Sequence, residues 1–94
     1  MKALARNISL AGASSVDLLA DFEPGVYDII VRTGSDGYMA LGGDDIDASA
    51  ANRFAMIVNK EYLFQAVSPG QLFARNLHPD TAQGVGVLGT VHQD

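Results

Sequence analysis

The chain has no cysteine, no tryptophan, three prolines and only six basic residues among 94. Without cysteine there is no disulfide, no thiolate metal site and no thiol nucleophile. Six Lys and Arg against eleven Asp and Glu leave a net charge of −5. The few cations are scattered, so no basic stripe exists to neutralise phosphates, and nucleic-acid binding is not expected. No apolar run approaches the ~20 residues that a membrane-spanning helix needs. Lys2 and Arg6 precede the run Ile8 to Ala13, but Ser9 and Gly12 break it, and it is too short for a signal-peptide core.

What the chain does have is turn chemistry at short intervals. Glu23-Pro24-Gly25, Gly34-Ser35-Asp36-Gly37, Gly42-Gly43-Asp44-Asp45, Ser68-Pro69-Gly70 and the glycines 84, 86 and 89 separate short apolar runs. Apart from the N-terminal stretch, no run is long enough for an ordinary helix. Strands at roughly ten-residue spacing predict a single all-β domain over residues 1–94. The expected architecture is a small antiparallel β-sandwich or barrel of about seven to eight strands. No helical segment recurs between strands, which argues against a parallel βαβ sheet.

Val26 to Thr33 is the firmest strand, with Tyr27, Ile29 and Val31 on one face and Val26, Asp28, Ile30 and Arg32 on the other. Gly34 to Gly37 reads as a hairpin-type turn returning through Tyr38 to Leu41. Pro24-Gly25 suits the centre of a type II turn. Further strands are expected at Arg53 to Val58, Glu61 to Val67, Gln71 to Asn76 and around Val85, Val87 and Val91. Gly86 and Gly89 should weaken or kink the last of these. Residues 2–10 alternate with Leu4, Ile8 and Leu10 on one face and Arg6 as the exception. Val16 to Ala20 fits either a helical turn or an extended segment, with the extended form favoured. Phe54, Tyr62, Phe64 and Phe73 are expected in the core, where strand aromatics usually lie.

Few groups offer chemistry. Asp45-x-Asp47-x-Ser49 matches the opening of a calcium loop, making Asp45 and Asp47 the candidate metal ligands. Ala50 then stands where the sharp turn needs Gly, and Met56 where a bidentate Glu closes such a site. The commoner reading of this stretch is a solvated loop held by Asx-type hydrogen bonds. His78 and His92 lack the third and fourth ligands and the spacing of a zinc site. There is no Gly-x-Ser-x-Gly elbow. Gly84-x-Gly86-x-x-Gly89 matches a phosphate loop by letter, yet no helix follows whose N-terminus could hold the phosphate. No cofactor and no catalytic residue is expected, and the chain reads as a non-enzyme.

Composition points outward instead. Apolar residues are 48% and charged residues 18%, the second well under the ordinary ~25%. A domain of this size buries only about 60–65% of its unfolded surface. Part of the apolar content is therefore expected in an interface between chains.

Residues 25–91 resemble the small β-sandwich accessory virion proteins of tailed bacteriophages: capsid decoration (cement) proteins, head-fibre bases and collar parts. The stretches that carry the resemblance are Val26-Tyr27-Asp28-Ile29-Ile30-Val31-Arg32-Thr33-Gly34 and Tyr38-Met39-Ala40-Leu41-Gly42. Asp47 to Ile57 resembles the family's polar loop leading into an apolar strand. Leu72-Phe73-Ala74-Arg75 with Val85-Gly86-Val87-Leu88 resembles its closing strands. The chain departs from the pattern with Thr33 in place of Asn, and with Asn59-Lys60 where Pro-Gly is usual.

The resemblance implies a virion structural protein, assembled in the host cytoplasm, that binds and stabilises the phage head. Its partners would be the major capsid protein or neck and tail proteins, and its own copies would form a homo-oligomer, preferably a trimer. Residues 1–24 fall outside the resemblance, as an arm or an added strand. The competing readings are a collar or tail accessory protein and a carbohydrate-binding, adhesin-like module stacking sugars on Tyr38, Tyr62 or Phe73. A small hydrolase built on Asp45, Asp47 and His78 is a third.

Overall fold

The computed structural model describes residues 3–93; Met1, Asp94 and Lys2, the first cation of the N-terminal run, lie outside them. Eight strands follow one another: β1 (Ala3–Leu10), β2 (Ser15–Asp17), β3 (Tyr27–Thr33), β4 (Met39–Gly42), β5 (Arg53–Ala55), β6 (Tyr62–Val67), β7 (Phe73–Asn76) and β8 (Gln83–Val91). They form two four-stranded antiparallel sheets, ordered β1-β8-β3-β6 and β2-β7-β4-β5. The expected all-β sandwich is what the chain builds.

The pairing is nested. β1 pairs with β8, β2 with β7, β3 with β6 and β4 with β5. The first half of the chain thus runs antiparallel to the second as one long ribbon, doubled back near its middle. Winding that ribbon brings β3 against β8 and β4 against β7. Eight strands in two sheets joined this way make a jelly roll.

Alternation explains the core. Tyr27, Ile29, Val31 and Thr33 of β3 face inward and are buried, as are Val85 and Val87 of β8. Met39 and Leu41 of β4 face them from the second sheet. Arg6 points inward from β1 among Leu4, Ile8 and Leu10, and its guanidinium is satisfied there. It donates to the carbonyls of Asp17 (2.9 Å) and Leu18 (3.2 Å) and pairs with Asp21 at 3.0 Å. Ala3–Leu10 runs as a strand paired to β8 in the first sheet.

Several local expectations are overturned by pairing that no short window encodes. β3 and β4 belong to different sheets, so Gly34 to Gly37 is a crossover rather than a hairpin, although Gly37 does take a positive φ of 77°. Gly25 lacks the positive φ that the second central position of a type II turn requires. The strand beginning at Arg53 ends at Ala55. Of the four aromatics expected in the core, Phe54 is 48% exposed and Phe73 is half-buried, while Tyr62 and Phe64 are half-buried and pack against the core from its edge. The extended segment at Val16 stops at Asp17, whose Oδ1 accepts from the Leu19 backbone N–H and turns the chain so that Leu18 and Leu19 are both buried.

β8 is not weakened by its glycines; it is an interior strand, paired along its length to β1 and β3. Gly89 faces inward, and a Cβ there would lie 2.7 Å from the Phe22 ring and 3.3 Å from Ile29. Phe22 in turn packs edge-on against Tyr27, centroids 5.0 Å apart. The missing side chain is what admits this ring. In β6, Ala66 adopts φ 57° where the β3–β6 register shifts, and its N–H donates to Asp28 Oδ1 at 3.0 Å. This left-handed conformation disfavours any residue with a Cβ.

Two substitutions should therefore act in opposite directions. Gly89→Ala is expected to destabilise the fold by about 1–3 kcal/mol through overpacking against Phe22. Ala66→Gly is expected to stabilise it by about 0.5–1 kcal/mol by relieving the left-handed strain. Urea denaturation of both variants measures the two changes.

Candidate functional site

The acidic loop between β4 and β5 is the apex of the doubled ribbon. Ile46 is buried and anchors the loop, while its neighbours from Asp44 to Ala51 are exposed, as expected of a solvated loop. The Ile46 carbonyl accepts from Arg53 Nη1 at 3.2 Å. Asp47 reaches across the sheet to β2 and β7: its Oδ1 accepts from Ser15 Oγ at 2.5 Å and from Arg75 Nη1 at 2.6 Å. Ser49 caps the 3₁₀ turn Ala50–Asn52 by accepting from Ala51 N. The Asp45 carbonyl accepts from Asn52 Nδ2 at 3.3 Å.

Asp45 and Asp47 thus sit on one loop, but Asp47 is held by a guanidinium and a hydroxyl. Among the described residues no group of three or more His, Asp or Glu converges as a metal ion requires. The hydrogen bond from Ser15 lowers the Asp47 carboxyl below its ordinary value, and Arg75 adds to this.

The histidines serve separate local roles. His78 Nδ1 accepts from the backbone N–H groups of Asp80 (3.1 Å) and Thr81 (2.9 Å), shaping the turn after β7, while its ring meets Tyr38 edge-on at 4.8 Å. His92 Nδ1 lies 2.7 Å from Asp28 Oδ1. The Asp28 carboxyl is lowered first by the Ala66 N–H and next by His92. The structure does not bring His78 into a set with Asp45 and Asp47 through any hydrogen bond or ion pair.

Two apolar surface features group several side chains. The first is an apolar seam where the edge strands of the two sheets approach. Phe54 of β5 and Tyr62 of β6 bridge the sheets with ring centroids 5.8 Å apart and planes tilted by 46°. Ile57, in the connection between them, is 59% exposed, and its N–H donates to the Tyr62 hydroxyl at 2.8 Å.

The second is the outer face of the β1-β8-β3-β6 sheet. Leu88 pairs in register with Ala5 and Ile30, and Ile30 with Leu63, so four apolar residues cross the sheet in one row. Leu63 is 71% exposed. Beside the row, Gly84 and Gly86 leave an open depression of about 820 Å³, flanked by Asn7, Ser9 and Arg32.

Sequence reasoning did not single out this row. Its only signal is that Ile30, Leu63 and Leu88 occupy positions alternate to the core residues, where a solvated sheet face carries polar side chains. That they lie side by side depends on the register.

No family model matches the chain, and no curated protein matches it. Among solved structures, the solution NMR structure of a de novo designed double-stranded beta-helix is similar in fold, with a TM-score of 0.52. The match covers 96% of this chain and 100% of that one at 15% identity. At that identity the likeness is one of fold alone.

Both lowered carboxylates accept hydrogen bonds in the folded state, and their contribution follows from linkage. A carboxyl depressed on folding stabilises the fold above its unfolded pKa of about 3.9, and that contribution is lost as pH falls through the folded value. The melting temperature is therefore expected to drop below about pH 4. Asp47→Asn should lower stability at pH 7 and flatten part of the acid-side fall. Thermal melts of the two proteins from pH 7 to pH 2.5 (spanning the ~3.9 reference value) provide the check.

Proposed function

We propose that the chain is a non-enzymatic structural module of a tailed-bacteriophage virion, a decoration protein that docks on the capsid surface and stabilises it. The observation that carries this reading is the apolar seam where exposed Phe54 and Ile57 lie against half-buried Tyr62. A protein of 94 residues with 18% charge leaves large apolar side chains in solvent at a sheet junction, and burying them against a second protein is the physical return for that exposure. The acidic and histidine side chains support the same reading, because the hydrogen bonds of Asp47, Asp28 and His78 are spent on holding the fold.

Jelly rolls serve capsid and lectin domains alike, so the surface chemistry has to separate the two. Sugar stacking wants a flat, open ring face. Tyr62 is tilted against Phe54 and its hydroxyl is engaged by Ile57, Tyr38 is packed by His78, and Phe73 is half-buried. These arrangements favour a protein partner over a glycan.

Co-sedimentation with capsids assembled from the major capsid protein of the same genome tests the reading. The native chain is expected to pellet with capsids and raise their thermal stability. The Phe54→Ser, Ile57→Ser double variant should fold normally yet bind at least ~10-fold more weakly, the effect of removing about 1.4 kcal/mol or more of apolar contact. A genome without a capsid gene, or capsids that ignore the native chain, would overturn it.

A further inference from the structure

We infer that the outer face of the β1-β8-β3-β6 sheet is a two-fold docking surface for a second copy of this chain, with Leu88 and Ile30 on the axis. This goes beyond the capsid reading, which uses the Phe54 seam, and it assigns a partner to the other exposed apolar feature.

The register makes the face self-complementary. A two-fold axis laid along the row Ala5-Leu88-Ile30-Leu63 places each of these residues against itself in the second copy. Positions one pleat to either side of the row then exchange. On β3 those positions are Arg32 and Asp28, so each Arg32 meets Asp28 of the second copy. On β8 they are Gly86 and Thr90, so each Thr90 enters the space left by Gly86. Two positions further out, Gly84 stands opposite His92 of the second copy. The depression is therefore matched by the side chains that the same operation brings over it. Opposite charges, apolar residues and steric relief all fall into place under one operator, as an isologous interface requires.

The area is sufficient. Strands of six to nine residues, spaced about 4.8 Å apart and rising about 3.3 Å per residue, give a face on the order of 500 Å². A pair then buries about 1,000 Å², the lower bound for a specific interface. The resemblance to virion proteins implies a trimer; the symmetry of this row instead favours a two-fold pair.

Sedimentation velocity from about 1 µM to about 1 mM, the span that brackets a weak pair, is the test. The native chain is expected to move from its 9.9 kDa monomer to twice that mass as concentration rises. Gly84→Val, whose Cβ would meet nothing closer than the Ile8 carbonyl oxygen at 3.9 Å, should remain folded and monomeric. Leu88→Glu and Leu88→Lys should each be monomeric alone, because like charges would face each other on the axis, and should pair when mixed. A native chain that stays monomeric, a trimer, or a dimer indifferent to these variants would overturn the inference. Capsid co-sedimentation separates the two proposals: a monomer that still binds capsids overturns only the pairing, and a pair that binds none overturns only the decoration reading.

Discussion

Everything in this molecule depends on the pairing of its first half with its second. Ala3 meets Thr90, Val31 meets Tyr62 and Ala40 meets Ala55, so one antiparallel ribbon runs from the first and last strands to the apex, with a register shift between Tyr27 and Ile29. Among the described residues such a ribbon has no local hairpin to nucleate it except β4–β5, and its long-range contacts are closed only after most of the chain has been ordered. The apex is accordingly secured more than once. Ile46 is buried beneath it, Arg53 binds its carbonyl, and Asp47 ties it to β2 and β7 through Ser15 and Arg75.

This dependence also explains how much could be read from the residues alone. Alternation in Tyr27 to Thr33 fixes which side chains face inward, because the period of a strand is a local property. The number of strands and the all-β class follow from the turn spacing. Partner choice is a different matter. Gly34-Ser35-Asp36-Gly37 has the chemistry of a hairpin and supplies its positive φ at Gly37, yet it carries the chain from one sheet to the other. The glycines of β8 looked like breaks when considered within their own strand. Against their neighbours, Gly89 admits the Phe22 ring and Gly84 and Gly86 open the outer face. Arg6 broke the pattern of β1 because its partners, the carbonyls of Asp17 and Leu18, lie more than ten residues away.

The candidate site shows the same division. Asp45 and Asp47 were legible as an acidic pair, and the sequence spacing already lacked the closing ligands of a calcium loop. What the spacing does not reveal is that Arg75 and Ser15 take the Asp47 carboxylate. The surfaces with unspent binding potential are apolar: the Phe54–Tyr62 seam at one side and the Leu88 row on the sheet face. The excess of apolar residues was evident in composition; its division into two surfaces required the fold. Under the two proposals, the seam between the sheets would face a larger body and the outer sheet face a second copy of the chain.

The central proposal is that this protein docks on a larger body through the seam where its sheets meet. Hydrogen–deuterium exchange of the chain, free and bound to capsids of the same genome, measures that directly. Binding should slow exchange at the amides from Phe54 to Tyr62, where Ile57 is otherwise exposed, and leave the turn at His78 unchanged. A capsid-bound chain whose seam exchanges as fast as in the free protein, with protection appearing elsewhere, would contradict the account.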